Sequence, residues 1–286
     1  MNALRNLLKS EKLSLPQYFE EAYKLFNEMI RNDNKDMIII MVLSLISVLF
    51  NKIQSVGFIG TLVSFATLIR IWIFYRKVVF KIEGKKYEAG DTAIVKSFIL
   101  LGIAILACIL LALLLLPYIG GIVGMVLYSR RGIGVLAAII IPIVILIAVF
   151  IVVTLFILYF IPAYMSRRGS IGETFKYNLF LCQGNRLRMF LPLVILAVIG
   201  LLIGLILGFL GTIGTIIGAL ISSVINIFQV IIISIIYLNV EYNTEIPSEF
   251  YFARENYKNE ANKAADESKG IEYISSLEEK KDDENN

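Results

Sequence analysis

The chain predicts an all-α polytopic membrane bundle, six transmembrane helices arranged as three hairpins with amphipathic lead-in helices on the cytoplasmic side. Three observations predict it. Of the 286 residues, 58% are hydrophobic and 17% charged, against about 45–50% and 25% in soluble domains. Charge vanishes from Ser97 to Ser129, from Gly132 to Met165 and from Met189 to Val240, and uncharged runs of about 18 residues or more read as membrane spans. Basic residues, finally, are abundant in alternate connections and scarce in the others, which is the positive-inside pattern.

The first element, residues 1–36, predicts a cytoplasmic amphipathic helix from about Leu15 to Arg31. Leu15, Tyr18, Phe19, Ala22, Tyr23, Phe26, Met29 and Ile30 recur at the spacing of one helix face, and Ser14 with Gln17 has capping-box spacing. The stretch Met1 to Asp36 has no apolar h-region, so the first span is expected to direct insertion itself. The membrane domain, residues 37–240, follows.

Spans are expected at about 37–53, 55–75, 97–116, 133–162, 190–209 and 215–240. A hydrocarbon layer of about 30 Å takes about 20 helical residues. Ser97 to Leu116 supplies 20 before Pro117, and Ile133 to Pro162 supplies 30. Phe190 to Val240 gives 51 residues without a charge, enough for two spans turning near Gly208, Gly211 and Gly214. The first pair is less plain: Met37 to Phe50 has only 14 apolar residues before Asn51 and Lys52, and Ser55 to Tyr75 has 21 but includes Arg70.

Charge decides that pair. With Arg70 set aside, 23 Lys and Arg fall on one side of this arrangement and 3 on the other. The segments flanking the first pair are equally basic, so either both helices cross or neither does; Ser55 to Tyr75 is long enough to favour both, and both termini are placed in the cytoplasm. Lys52 then snorkels outward. The tail, residues 241–286, carries 12 acidic against 6 basic residues from Glu245 onward. It is expected to be cytoplasmic and largely disordered, after a short helix near Ser248 to Lys263.

A second capping box, Ser170 with Glu173, followed by Phe175, Leu179 and Phe180, introduces the fifth span much as Ser14 introduces the first. Asp91 to Phe98 is a shorter version before the third. The stretch Tyr159-Phe-Ile-Pro-Ala-Tyr-Met-Ser-Arg-Arg-Gly-Ser-Ile-Gly-Glu-Thr-Phe, running on to Gln183-Gly-Asn, resembles uncharacterised bacterial six-span proteins similar to the membrane domain of some glycerophosphodiester phosphodiesterases. The resemblance covers about residues 10 to 243. It implies a membrane fold of that type and carries over no catalytic residues, because the phosphodiesterase domain has no counterpart in this chain.

Composition narrows the chemistry. There is no histidine, and the two cysteines, Cys108 and Cys182, fall in different parts of the predicted topology. Imidazole catalysis, a disulfide framework and a Cys/His zinc site are excluded. No cofactor is expected. The positive charge is spread by topology rather than gathered in one patch, which suits membrane lipids as partners and not nucleic acid. Abundant Ile, Lys and Asn point to a bacterial chain, hence to the bacterial cytoplasmic membrane.

Candidate functional residues are few. Arg70 is the ionisable residue inside an apolar run, and with Arg167 and Arg168 it is a candidate for contact with lipid headgroups or an anion. Ser222, Asn226 and Gln229 are the candidates for a polar cavity on the sixth span, interhelical hydrogen bonding being the alternative. Gly200, Gly204, Gly208 and Gly218 are candidates for close helix packing, between the last two spans or between two copies in a homo-oligomer. With no intramembrane carboxylate and no phosphate-cradling loop, the expectation is a non-enzymatic membrane scaffold or accessory protein that meets a protein partner through its tail. The alternative is a transporter or permease for a small or lipid-like molecule.

Overall fold

In the computed structural model, residues 2–85, 91–128 and 157–253 are described, with positions 151 and 155. These residues form nine α-helices and no strand: α1 (Asn2–Ser10), α2 (Leu15–Asn32), α3 (Lys35–Lys52), α4 (Gly57–Glu83), α5 (Asp91–Tyr128), α6 (Phe160–Ser166), α7 (Ile171–Cys182), α8 (Arg186–Gly208) and α9 (Gly211–Tyr242). Among the described residues, four helices are long and apolar enough to cross a membrane: α4, the Thr92–Leu113 part of α5, α8 and α9. Helix α3 falls short of that class because Lys35, Asp36 and Lys52 crowd its ends. Most of the expected 133–162 span, and the tail beyond Ala253, lie outside the described residues.

Local sequence explains the helix starts. The Gln17 side chain accepts the Ser14 backbone N–H at 2.7 Å ahead of α2, and Glu173 accepts that of Ser170 at 2.8 Å ahead of α7; each satisfies a donor the helix leaves without an intrahelical partner. Two expectations change. The third span is expected to close before Pro117, yet α5 runs on to Tyr128. Outside water a helix is the cheapest way to satisfy backbone groups, so one proline does not end it. In α2 the buried stripe is Tyr18, Ala22, Leu25 and Met29, while Tyr23 is 62% exposed and Ile30 also faces outward. The stripe is narrower than the full set of apolar positions because one neighbour, α9, receives it.

Helix α3 lies along α4, α8 lies along α9, and α9 also touches α2, α3 and α4. The molecule divides into two unlike zones. At one end α9 is buried at every position from Val230 to Glu241, enclosed by contacts with α1, α2, α4 and α6; a helix apolar nearly all round needs such enclosure. At the other end apolar side chains point outward, Leu201, Leu205 and Ile206 on α8 among them, and Phe209 is 91% exposed. Such a surface is compatible with lipid as its solvent.

Candidate functional site

The enclosed end is built on charge. The link between α6 and α7 is extended at Arg167, which turns the side chain inward until the residue is 5% exposed. Its Nε donates to Tyr237 Oη and to Glu241 Oε1, each at 3.0 Å. Its terminal nitrogen donates to Glu83 Oε1 at 2.7 Å and to Glu241 Oε2. Tyr177 and Tyr237 donate to Glu241 Oε1 at 2.7 and 2.8 Å, and Lys85 stands 3.1 Å from Glu83 Oε2. Two cations meet two carboxylates, so the cluster is neutral as a whole. A buried charge needs that balance and full hydrogen bonding.

Burial opposes the charge on Arg167, but Glu241, Tyr237 and Glu83 outweigh it and hold the guanidinium well above its usual range. Burial, reinforced by Glu241, pushes the Tyr177 phenol up, so it remains a donor. The cluster therefore joins the ends of α4 and α9 to the α6–α7 segment as a fixed ionic joint.

Two further polar joints flank it. Asn239 accepts from the Leu13 N–H at 3.1 Å and the Tyr18 hydroxyl at 2.7 Å, and donates to the Leu8 and Glu11 carbonyls at 2.9 and 2.7 Å. Arg188 adds a bond to the Leu13 carbonyl at 3.3 Å. Where α3 begins, Asp36 accepts from Arg70, and Lys77 bridges Asp33 and Asp36 at 2.6 Å each.

The exposed-apolar zone holds a different feature. A groove of about 760 Å³ runs between α3, α4, α8 and α9, with Ser47, Thr67, Gly208, Ser222 and Asn226 on its walls and Lys52 and Thr215 at one end. Lys52 Nζ lies 2.9 Å from Thr215 Oγ1.

The structure distributes the sequence candidates as follows. Arg70 faces Asp36, Arg167 is enclosed among carboxylates, and Arg168 is exposed. Ser222 and Asn226 are groove residues, whereas Gln229, half-buried, is not among them. Gly204, Gly208 and Gly218 also line the groove. At Gly204 and Gly208 an added Cβ would meet nothing within 4 Å, and at Gly200 and Gly218 it would make ordinary contacts of 3.9 and 3.6 Å. The tight positions are others: a Cβ at Gly214 would overlap the Leu207 carbonyl, and one at Gly60 would overlap Asn51.

Sequence reasoning missed Glu241 and Asn239. Their signal was position, since both sit where the 51-residue uncharged run ends. Asp33 and Asp36 were legible only as loop charge. Compared with protein-family models, with curated proteins and with solved structures, the chain matches none.

Proposed function

We propose that this chain is a six-span protein of a bacterial cytoplasmic membrane, its helices paired as three hairpins and both termini inside, and that it serves as a non-enzymatic scaffold or accessory protein. The observation that carries the functional reading is where the buried ionisable groups go. Arg167 binds Glu83 and Glu241, and Arg70 and Lys77 bind Asp33 and Asp36. These groups pair with one another and join helices. The groove walls among the described residues carry no carboxylate, which gives ion-coupled transport nothing to titrate.

The six-span reading draws on the distribution of basic residues, 23 against 3, and on α3 lying along α4. Membrane lipids surround the apolar zone, and a protein partner meets the acidic tail. A reporter fused at residue 286 is expected to be active inside the cell, and one inserted at Ile53 outside; the opposite pair overturns the topology. In proteoliposomes, flux of ions and small solutes is expected to equal that of protein-free vesicles, and saturable flux would displace the scaffold reading.

A further inference from the structure

We propose that the groove between α3, α4, α8 and α9 is a binding site for one anionic phospholipid, its phosphate at Lys52 and one acyl chain along the groove. The inference goes beyond the scaffold reading and leans on it only for the leaflet, which is the outer one.

Three observations support a lipid. The first is length. Along α9 the lining runs from Gly211 to Asn226, fifteen residues of one helix, about 22 Å at 1.5 Å per residue, against a hydrocarbon layer of about 30 Å. The groove is therefore long enough for an acyl chain and shorter than the whole layer.

The second is wall chemistry. Many of the groove hydroxyls are turned back on helix carbonyls: Ser47 and Ser64 both donate to Gly60, Thr67 to Val63 at 2.8 Å, and Ser223 to Ala219 at 2.7 Å. With those donors spent, and Ser222 and Asn226 as polar exceptions, the walls offer an occupant mostly carbon, and Gly204 and Gly208 leave the space open down to the backbone. A hydrocarbon chain fits such walls better than a hydrated solute does.

The third is charge. Neither residues 37–82 nor residues 186–240, which supply the four walls, contain an Asp or Glu. Lys52 is the ionisable side chain of the groove, exposed at the end of α3, with Thr215 and the first turn of α9 beside it. An anion is the complement of that mouth. A second copy docking by the same face would set Lys52 against Lys52.

The test uses the full chain in detergent, with phosphatidylglycerol or phosphatidylcholine of identical acyl chains added and adducts counted by native mass spectrometry. Wild type is expected to retain phosphatidylglycerol about tenfold better than phosphatidylcholine, the scale of one charge-assisted contact. Lys52→Gln should remove that preference, and Gly208→Leu should remove both adducts at an unchanged thermal midpoint. The proposal is overturned if Lys52→Gln keeps the preference, or if Gly208→Leu at an unchanged midpoint keeps the lipid. It is equally overturned if wild type is a dimer that Gly208→Leu converts to monomer, since the occupant is then a second copy.

Discussion

At the scale of single residues, Arg167 decides most. Replacing it with Met leaves Glu83 and Glu241 facing each other in a buried site, and breaking such a pair costs about 3–5 kcal/mol. The thermal midpoint in detergent is expected to drop sharply, and adding Glu83→Gln and Glu241→Gln to the same chain should recover much of the loss. A midpoint that stays put for the single variant would show that the cluster is not structural. The sequence announced a basic pair, Arg167-Arg168, next to aromatics, and a headgroup contact was the natural expectation. Nothing local says which of two adjacent arginines turns inward; that is set by carboxylates 84 and 74 residues away.

Glu173 gives a pH dependence with a definite sign. The hydrogen bonds it accepts from the Ser170 backbone and hydroxyl depress its carboxyl below the ordinary 4.5. A depressed carboxylate contributes stability that is fully present above the ordinary value and is lost as pH falls through the lowered one. Amide exchange at the start of α7 is therefore expected to accelerate on acidification below about 4.5, and in Glu173→Ala to be fast already at neutral pH. Equal pH profiles for the two chains would remove the capping role.

At the scale of elements, helix existence was largely legible, and which faces meet was not. Apolar run length gave the membrane-length helices, and Ser-x-x-Gln and Ser-x-x-Glu gave two helix starts. Glycines four apart announce close approach without saying to what. In α8 Gly204 and Gly208 look into the groove, and the approach is made by Gly214 against the Leu207 carbonyl. Gly214→Ala is accordingly expected to cost on the order of 1–3 kcal/mol. Gly204→Ala, with open space and a better helix former, should be neutral or stabilising by up to about 1 kcal/mol. Thermal midpoints of the pair check it, and the reverse order would mean that the α8–α9 contact is misplaced. The groove itself was half legible: Ser222 and Asn226 belong to it, but its other walls come from α3, α4 and α8, which periodicity on one helix cannot reveal.

For the whole molecule, the division between an enclosed charged end and an open apolar end has one organiser, the last three turns of α9. Composition showed that the chain is too apolar for one core; it could not show that the tightest core lies at the charged end, because that depends on α1, α2, α4 and α6 converging on one helix. Asn239→Leu would take the acceptor from the Leu13 N–H and the Tyr18 hydroxyl and one of two donors from the Leu8 and Glu11 carbonyls, which Asn243 still reaches; a buried donor left unsatisfied costs about 1–3 kcal/mol. Limited proteolysis is expected to cut between Ser10 and Ser14 much faster in that variant, and an unchanged rate would mean that α1 is held by apolar contacts alone.

Asn239 also has a consequence in time. Its partners, Leu13 and Tyr18, precede it by 226 and 221 residues, so α1 and α2 leave the ribosome long before the helix that receives them. Synthesis at about 5–20 residues per second keeps the buried stripe of α2 waiting for ten seconds or more. A nascent chain interrupted before Val230 cannot close its base, and its first two helices stay available to quality control until the final turns of α9 arrive.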